Sequence, residues 1–146
     1  MTPSSVARFM ASLFPVSTLR TCRLLDAGAG LGALSCAFLD RWSAGDGLSF
    51  QRTQVEAYEI DDTLRGHLEA TLAGYGQRLP LSYSVSPGDF IWEAARQGWR
   101  GSAGFTHAIL NPPYKKINST SLHRSILRHA GIETVNLEDV PAAVEG

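Results

Sequence analysis

The apolar residues of this chain follow two different spacings in turn, and the alternation predicts strands separated by helices. Short apolar runs bounded by turn residues predict buried strands at Cys22 to Ala27, Thr53 to Ile60, Leu81 to Val85 and Phe105 to Leu110. Apolar residues three or four positions apart predict helices at Ser4 to about Phe14, from Leu34 to Trp42, at Asp62 to Tyr75 and at Trp92 to Gln97. Such an order indicates an α/β fold with about four parallel strands and flanking helices.

Composition narrows the class of protein. At 146 residues, 44% hydrophobic and 18% charged, the chain is typical of one globular domain, and its formal net charge of −1 argues against a generally basic nucleic-acid binder. Cys22 and Cys36 have no companions at C-x-x-C spacing, which favours reduced thiols and argues against a zinc site. The sequence has neither a long apolar run nor a signal peptide, so we expect a cytoplasmic protein without a membrane span or a metal.

The first predicted strand runs into a glycine-rich turn, Asp26-Ala-Gly28-Ala-Gly30-Leu-Gly. Glycines allow the backbone to approach a ligand, and in parallel sheets ligands gather at the carboxyl ends of the strands. Asp26 suits the ammonium group of S-adenosylmethionine better than a pyrophosphate, because a carboxylate repels phosphate charge. The spacing Gly28-x-Gly30-x-x-Ala33 also matches a dinucleotide-binding turn, so the turn alone leaves both cofactors open.

Glu59 and Ile60 end the second predicted strand. A carboxylate at this position can accept hydrogen bonds from both hydroxyls of a ribose, and Ile60 can pack on the attached adenine. The alternative is that Glu59, Asp61 and Asp62 only cap the next helix, where either aspartate is a natural N-cap. We expect both roles to be filled, with Glu59 on the ribose and an aspartate at the cap.

Asp89 and Phe90 follow the third predicted strand. The Asp89 carboxylate can accept a hydrogen bond from the amino group of a cofactor adenine, and Phe90 can contact the ring. Pro87-Gly88-Asp89 is also ordinary turn chemistry, which explains the segment equally well in isolation. Its position after a strand favours the binding role.

The fourth predicted strand ends at Asn111-Pro112-Pro113-Tyr114. The Asn111 side-chain oxygen and the Pro112 carbonyl can each accept a hydrogen bond from a substrate amino group, which draws the nitrogen lone pair out of conjugation. Proline fixes φ and restrains the residue before it, so the acceptors are held in a stiff loop. Tyr114 offers a ring on which a base removed from its helix can stack. A plain proline-rich turn is the alternative.

Lys115 and Lys116 open a segment that has no acidic residue up to Gly131. Their charges can hold the phosphates of a nucleic acid next to a base pocket, which would make binding sensitive to salt. The alternative is an ordinary solvated face.

In this order, the four motifs resemble the adenine-N6 DNA methyltransferases of bacterial restriction-modification systems. The resemblance covers residues 1–136 and includes the Thr2-Pro3 pair ahead of the first helix. It implies the N-terminal part of a Rossmann-like catalytic domain that depends on S-adenosylmethionine. It also implies direct methyl transfer to N6, without a covalent enzyme intermediate.

The resemblance assigns a role to each motif. Thr2, Asp26, Gly28 and Gly30 would line the methionine end of the cofactor, Glu59 and Ile60 its ribose and adenine, and Asp89 and Phe90 its adenine. Asn111, Pro112, Pro113 and Tyr114 would bind an adenine flipped out of double-stranded DNA.

A departure from the family pattern qualifies these expectations. Family catalytic domains continue with further strands after the Asn-Pro-Pro-Tyr strand, whereas this chain ends at Gly146 and its residues 137–146 do not resemble a buried strand. We therefore expect a truncated chain, or one completed by a second chain, with one flank of the fourth strand exposed and 137–146 as a tail outside the fold. The alternative functions are methylation of a protein glutamine or of RNA, and a non-catalytic cofactor-binding subunit.

Overall fold

The structure, a computed structural model, describes residues 2–88, 90, 104–110 and 132–136. Within them, the strands are β1 (Thr21–Ala27), β2 (Arg52–Tyr58), β3 (Leu81–Ser86), β4 (His107–Leu110) and β5 (Glu133–Asn136). They form one sheet in the order β3-β2-β1-β4-β5, in which every pair is parallel. The α/β fold with a parallel sheet is therefore confirmed.

The described helices are α1 (Ser4–Ser12), α2 (Ala33–Ser43) and α3 (Asp62–Gly76). Helix α3 begins as predicted, because the Asp61 side chain accepts a hydrogen bond from the Leu64 amide at 3.0 Å. Helix α1 ends two residues before the predicted Phe14, which leaves the helix but stays in the core. The helix predicted at Trp92 to Gln97 lies outside the described residues.

Strand β5 adds a fifth strand to the four that the sequence predicts. It pairs with β4 in register from His107 opposite Glu133 to Leu110 opposite Asn136, and so covers the flank of β4 that we expected to be exposed. The four residues of β5 are mostly polar, and Val135 is the residue whose apolar side chain the strand buries. A strand this short carries too little alternation to be recognised from sequence.

Residues on opposite faces of the sheet pack into two separate clusters. Successive side chains of a strand point to opposite faces, and Leu24 and Leu25 accordingly belong to different clusters. The cluster around Leu24 includes the buried faces of α1, α2 and α3, while the cluster around Leu25 includes Phe90 and Phe105. Asp26 lies on the same face as Leu24, under α2.

We call the amino ends of β1 and β4 the amino edge of the sheet, and its centre is His107. This side chain is 1% exposed and makes edge contacts with the rings of Phe14, Phe38 and Phe50, with centroids 5.2 to 5.6 Å apart. Its Nδ1 lies 2.7 Å from the Thr106 hydroxyl. Burial lowers the pKa of His107 to about 4, so the imidazole is neutral at physiological pH.

Candidate functional site at the carboxyl edge

The carboxyl ends of β1, β2 and β4 form the opposite edge, which we call the carboxyl edge. Strand order reverses between β1 and β4, since the chain proceeds from β1 to β2 and β3 on one side and places β4 on the other. Ala27 at the end of β1 pairs with Leu110 at the end of β4. Open α/β sheets bind ligands at such a switch point, so this edge is the candidate site.

The glycine loop after β1, residues 28–32, is held by hydrogen bonds from its own amides. The amides of Gly28 and Ala29 both donate to the Tyr58 carbonyl, at 3.0 and 2.9 Å, and the Gly32 amide donates to the Ala29 carbonyl at 2.9 Å. The Gly30 amide donates to Glu59 Oε1 at 2.7 Å. These four donors are therefore committed within the protein and are not available to a phosphate.

Gly32 is the glycine that the loop most requires. It directly precedes α2 and has a φ of +91°, a backbone conformation that is unfavourable for residues with a Cβ atom. A Cβ added there would also lie 2.6 Å from Leu68 Cδ1, on α3. The loop is thus packed closely against α3, and this contact cannot be predicted from the glycine spacing alone.

Glu59 links the glycine loop to the start of α3. While Oε1 accepts from Gly30, Oε2 accepts from the Asp61 amide at 2.9 Å. The guanidinium of Arg65 donates to the carbonyls of Glu59 and Ile60, at 2.9 and 2.7 Å, and so fixes this segment from below. Sequence reasoning anticipated Glu59 but missed Arg65, because its role depends on carbonyls that only the fold presents.

Asp26 is completely buried at the end of β1. Its Oδ2 accepts a hydrogen bond from the Ser35 hydroxyl at 2.5 Å, whereas Oδ1 has no hydrogen-bond partner among the described residues. Thr53 Oγ1 is the other buried side-chain oxygen that has no hydrogen-bond partner in the described residues. It lies near Cys22 and lowers the pKa of that thiol. Asp26 Oδ1 is the one of the two that belongs to the candidate site.

Burial raises the pKa of Asp26 from its usual value near 3.8 to about 6. The Ser35 hydroxyl and amide oppose this rise, and the negative charge of Glu59 adds to it. Near neutral pH the group is mostly an ionised carboxylate that lacks a partner on one oxygen. That arrangement suits a cationic hydrogen-bond donor.

The other predicted binding residues that the structure describes differ in exposure. Ile60 is 70% exposed beside Glu59, as a residue that packs on a ligand ring should be. Phe90 is only 4% exposed and packs against Tyr58 and Phe105, with ring centroids 5.3 and 6.4 Å apart. Thr2 is half-buried ahead of α1. Ligand contact by any of the three stays a prediction.

The remaining predicted site residues lie outside the described residues. They are Asp89, Asn111, Pro112, Pro113, Tyr114, Lys115 and Lys116. The proposed tail at 137–146 lies outside them as well. In the part of the chain that the structure does describe, no cluster of three or more His, Cys, Asp or Glu side chains is placed to hold a metal ion. No helix there is long and apolar enough to cross a membrane.

Comparison with curated proteins finds two relatives along almost the whole chain. It is 43% identical over 143 residues to the type II methyltransferase M.BsuBI of Bacillus subtilis, and 32% identical over 144 residues to the type II methyltransferase M.PstI of Providencia stuartii. The alignments cover 93% and 94% of this chain but 28% of each relative, so the chain spans about a quarter of their length. No protein-family model matches the chain. The relatives confirm the resemblance to methyltransferases of restriction-modification systems.

Solved structures share the fold. A modification subunit attributed to a type I restriction enzyme of Vibrio vulnificus YJ016 matches with a TM-score of 0.62 at 16% identity, over 78% of this chain and 23% of that one. A conserved hypothetical protein of Streptococcus pyogenes matches with a TM-score of 0.52 at 16% identity, over 84% of this chain and 71% of that one. Identities this low support the fold alone.

Proposed function

Because this chain is a relative of type II methyltransferases over 93% of its length, we propose that it carries the methyl-donor and target sites of a DNA methyltransferase acting on adenine N6. The methyl donor is S-adenosylmethionine. The single observation that carries the proposal is the buried Asp26 carboxylate, which keeps one oxygen unpartnered at the switch point of the sheet. In the sequence, the motif Asn111-Pro112-Pro113-Tyr114 directly follows Leu110, the last residue of β4.

The choice of methyl donor over a dinucleotide rests on what the glycine loop offers. Pyrophosphates bind free backbone amides at a helix N-terminus. In this loop, four amides are committed within the protein, whereas Asp26 Oδ1 has no hydrogen-bond partner among the described residues. An anion would be repelled there, whereas the ammonium of an amino acid would be attracted. When bound, S-adenosylmethionine supplies a methyl group on a positively charged sulfur.

Glu59 would hold the ribose of the same ligand. Each of its carboxylate oxygens already accepts one backbone amide, and each keeps a further lone pair for a ribose hydroxyl. Ile60 would then cover one face of the adenine, while Asp89 accepts from the adenine amino group. The same carboxylate thereby braces the loop and binds the ligand.

At the target, Asn111 and Pro112 would accept hydrogen bonds from the amino group of a flipped adenine, and Tyr114 would stack on the base. The acceptors raise the nucleophilicity of the nitrogen, which attacks the methyl directly. Lys115 and Lys116 would contact the DNA phosphates. A protein glutamine or an RNA base also presents an amide-like nitrogen, so these remain the alternative targets. A second chain that supplies target recognition is part of the proposal.

The first test is a calorimetric titration of the 146-residue chain with S-adenosylmethionine, and with NADH as the competing cofactor class. We expect binding of S-adenosylmethionine and none of NADH. Glu59→Gln should weaken binding roughly tenfold, since an amide cannot accept on both of its atoms. Glu69→Gln, an exposed change on α3, is the matched control and should not alter the affinity. Comparable binding of NADH would overturn the choice of cofactor.

The second test concerns the target and uses Asn111→Ala in the complete protein. Loss of a positioned acceptor should reduce methyl transfer to duplex DNA by about a hundredfold or more, as removal of one polar catalytic group does in other enzymes. Gln51→Ala, which removes an exposed amide before β2, should leave transfer unchanged. Unaltered DNA methylation in the Asn111 variant would contradict the assignment of Asn111 as a catalytic residue. RNA and a glutamine-containing protein serve as parallel substrates.

A further inference from the structure

Ser35 occupies the first turn of α2 and is completely buried. A serine within a helix can return its hydroxyl hydrogen bond to a backbone carbonyl one turn earlier. Here the hydroxyl instead donates to Asp26 Oδ2, at 2.5 Å, across from helix to strand. Ser35 belongs to none of the sequence motifs.

The charges around Asp26 make this contact consequential. Among the described residues, the charged group that acts on Asp26 is Glu59, and its negative charge opposes ionisation. Ser35 is the group that favours the ionised form, through its hydroxyl and its amide. Ser35 therefore holds one carboxylate oxygen of Asp26, Oδ2, while the other oxygen, Oδ1, has no partner among the described residues.

We propose that Ser35 is a positioning residue for the methyl-donor site, an inference that rests on the proposed function. The Ser35 hydroxyl fixes the Asp26 carboxylate so that Oδ1 accepts a hydrogen bond from the ammonium group at the amino acid end of the methyl donor. Without that hydroxyl, the Asp26 side chain loses its fixed rotamer, and its ionised form loses a charge-assisted hydrogen bond. The effect is confined to ligands that carry the ammonium group. Ribose and adenine contacts, which use other residues, are unaffected.

Two ligands separate this role from a merely structural one. S-adenosylmethionine carries the amino acid end, whereas 5′-methylthioadenosine has the same adenosine and a methylthio group but lacks the amino acid end and the positive charge on sulfur. Ser35→Ala should weaken S-adenosylmethionine binding about tenfold near pH 7.5, in keeping with loss of a hydrogen bond to a charged group, and leave 5′-methylthioadenosine binding unchanged. Glu59→Gln should weaken both ligands equally.

The pH profile gives a second readout. Binding of the ammonium needs ionised Asp26, so affinity for S-adenosylmethionine falls as the pH drops through the pKa of Asp26 in the free chain. Loss of Ser35 raises that pKa, so the fall begins at higher pH in Ser35→Ala than in the parent. Ser35→Thr keeps the hydroxyl and should restore both the affinity and the profile. The profile for 5′-methylthioadenosine should stay flat in every variant.

The decisive experiment titrates the parent, Ser35→Ala, Ser35→Thr and the exposed control Ser43→Ala with both ligands between pH 5 and pH 8. Selective loss of S-adenosylmethionine with an upward shift of the profile supports the positioning role. Equal loss of both ligands, or an unshifted profile, overturns it while leaving the proposed function standing. A parent chain that binds neither ligand overturns both.

Discussion

Each edge of the sheet buries an ionisable side chain, His107 at the amino edge and Asp26 at the carboxyl edge, and the surroundings of these two side chains are opposite in kind. At the amino edge, the Nδ1 of His107 meets the Thr106 hydroxyl and its ring is enclosed by phenylalanines. At the carboxyl edge, Asp26 is just as buried, but one of its oxygens has no partner in the part of the chain that the structure describes. The difference teaches that burial alone does not mark a binding site. An unmet hydrogen-bonding capacity at the carboxyl ends of the strands, where parallel sheets bind ligands, is the more specific sign of a site.

The largest effect should come from a change that tests how tightly the carboxyl edge is built. Gly32→Ala should lower the free energy of unfolding by about 3 kcal/mol, because the positive φ costs about 1–2 kcal/mol and the contact with Leu68 adds an overpacking cost of similar size. Urea denaturation would measure it.

Gly45 provides the matched control at the other end of α2. It has φ of +69°, but an added Cβ there would have nothing within 4 Å. Gly45→Ala should therefore cost only the backbone part, about 1–2 kcal/mol. Equal losses in the two variants would show that packing of the glycine loop against Leu68 does not constrain this edge.

The parts of the fold that the sequence predicts are those that depend on local pattern. The apolar runs that end at Ala27 and Leu110 are strands, and Asp61 caps α3. Both could be predicted because apolar periodicity and helix capping depend on residues that are close together in the sequence. Strand β5 was not predicted, since four mostly polar residues become a strand only when β4 lies beside them. Tertiary pairing, not propensity, decides such a strand.

The same division holds at the candidate site. Asp26 and Glu59 stand out in the sequence because acids at strand ends face the ligand edge. Ser35 and Arg65 do not, because each acts on an atom that is distant along the chain or belongs to the backbone. Asn111 to Tyr114 stay predictions, since they lie outside the described residues.

A second, smaller effect distinguishes the two edges, because their buried side chains change the folding stability in opposite directions as the pH falls. The pKa of Asp26 is raised to about 6, so the folded state binds this proton more tightly and Asp26 adds stability as the pH falls from about 6 to about 4. The pKa of His107 is lowered from 6.5 to about 4, so the unfolded state takes up that proton first and stability is lost over nearly the same range. In the parent, the two contributions oppose each other.

Asp26→Asn should remove the contribution of Asp26 to the pH dependence of stability and leave that of His107. Above pH 7, the variant should unfold with a free energy higher by at most about 3 kcal/mol, because a shift of about two pKa units corresponds to that cost of burying the charge. The gain should vanish near pH 4, and the variant should lose stability steeply on acidification because His107 then acts alone. Thermal and urea unfolding between pH 4 and pH 8 would measure both. The same variant should fail to bind S-adenosylmethionine, so stability and binding would move in opposite directions.

His107→Gln is the counterpart at the amino edge, since glutamine keeps a group that can pair with the Thr106 hydroxyl. It should unfold more easily at every pH through lost ring contacts, yet gain stability as the pH falls from about 6 to about 4, because Asp26 is then unopposed. Its binding of S-adenosylmethionine should equal the parent's. If both variants keep the parent's pH profile, the two buried groups are not the opposed pair that their surroundings indicate. If His107→Gln loses ligand binding instead, the amino edge is not independent of the site.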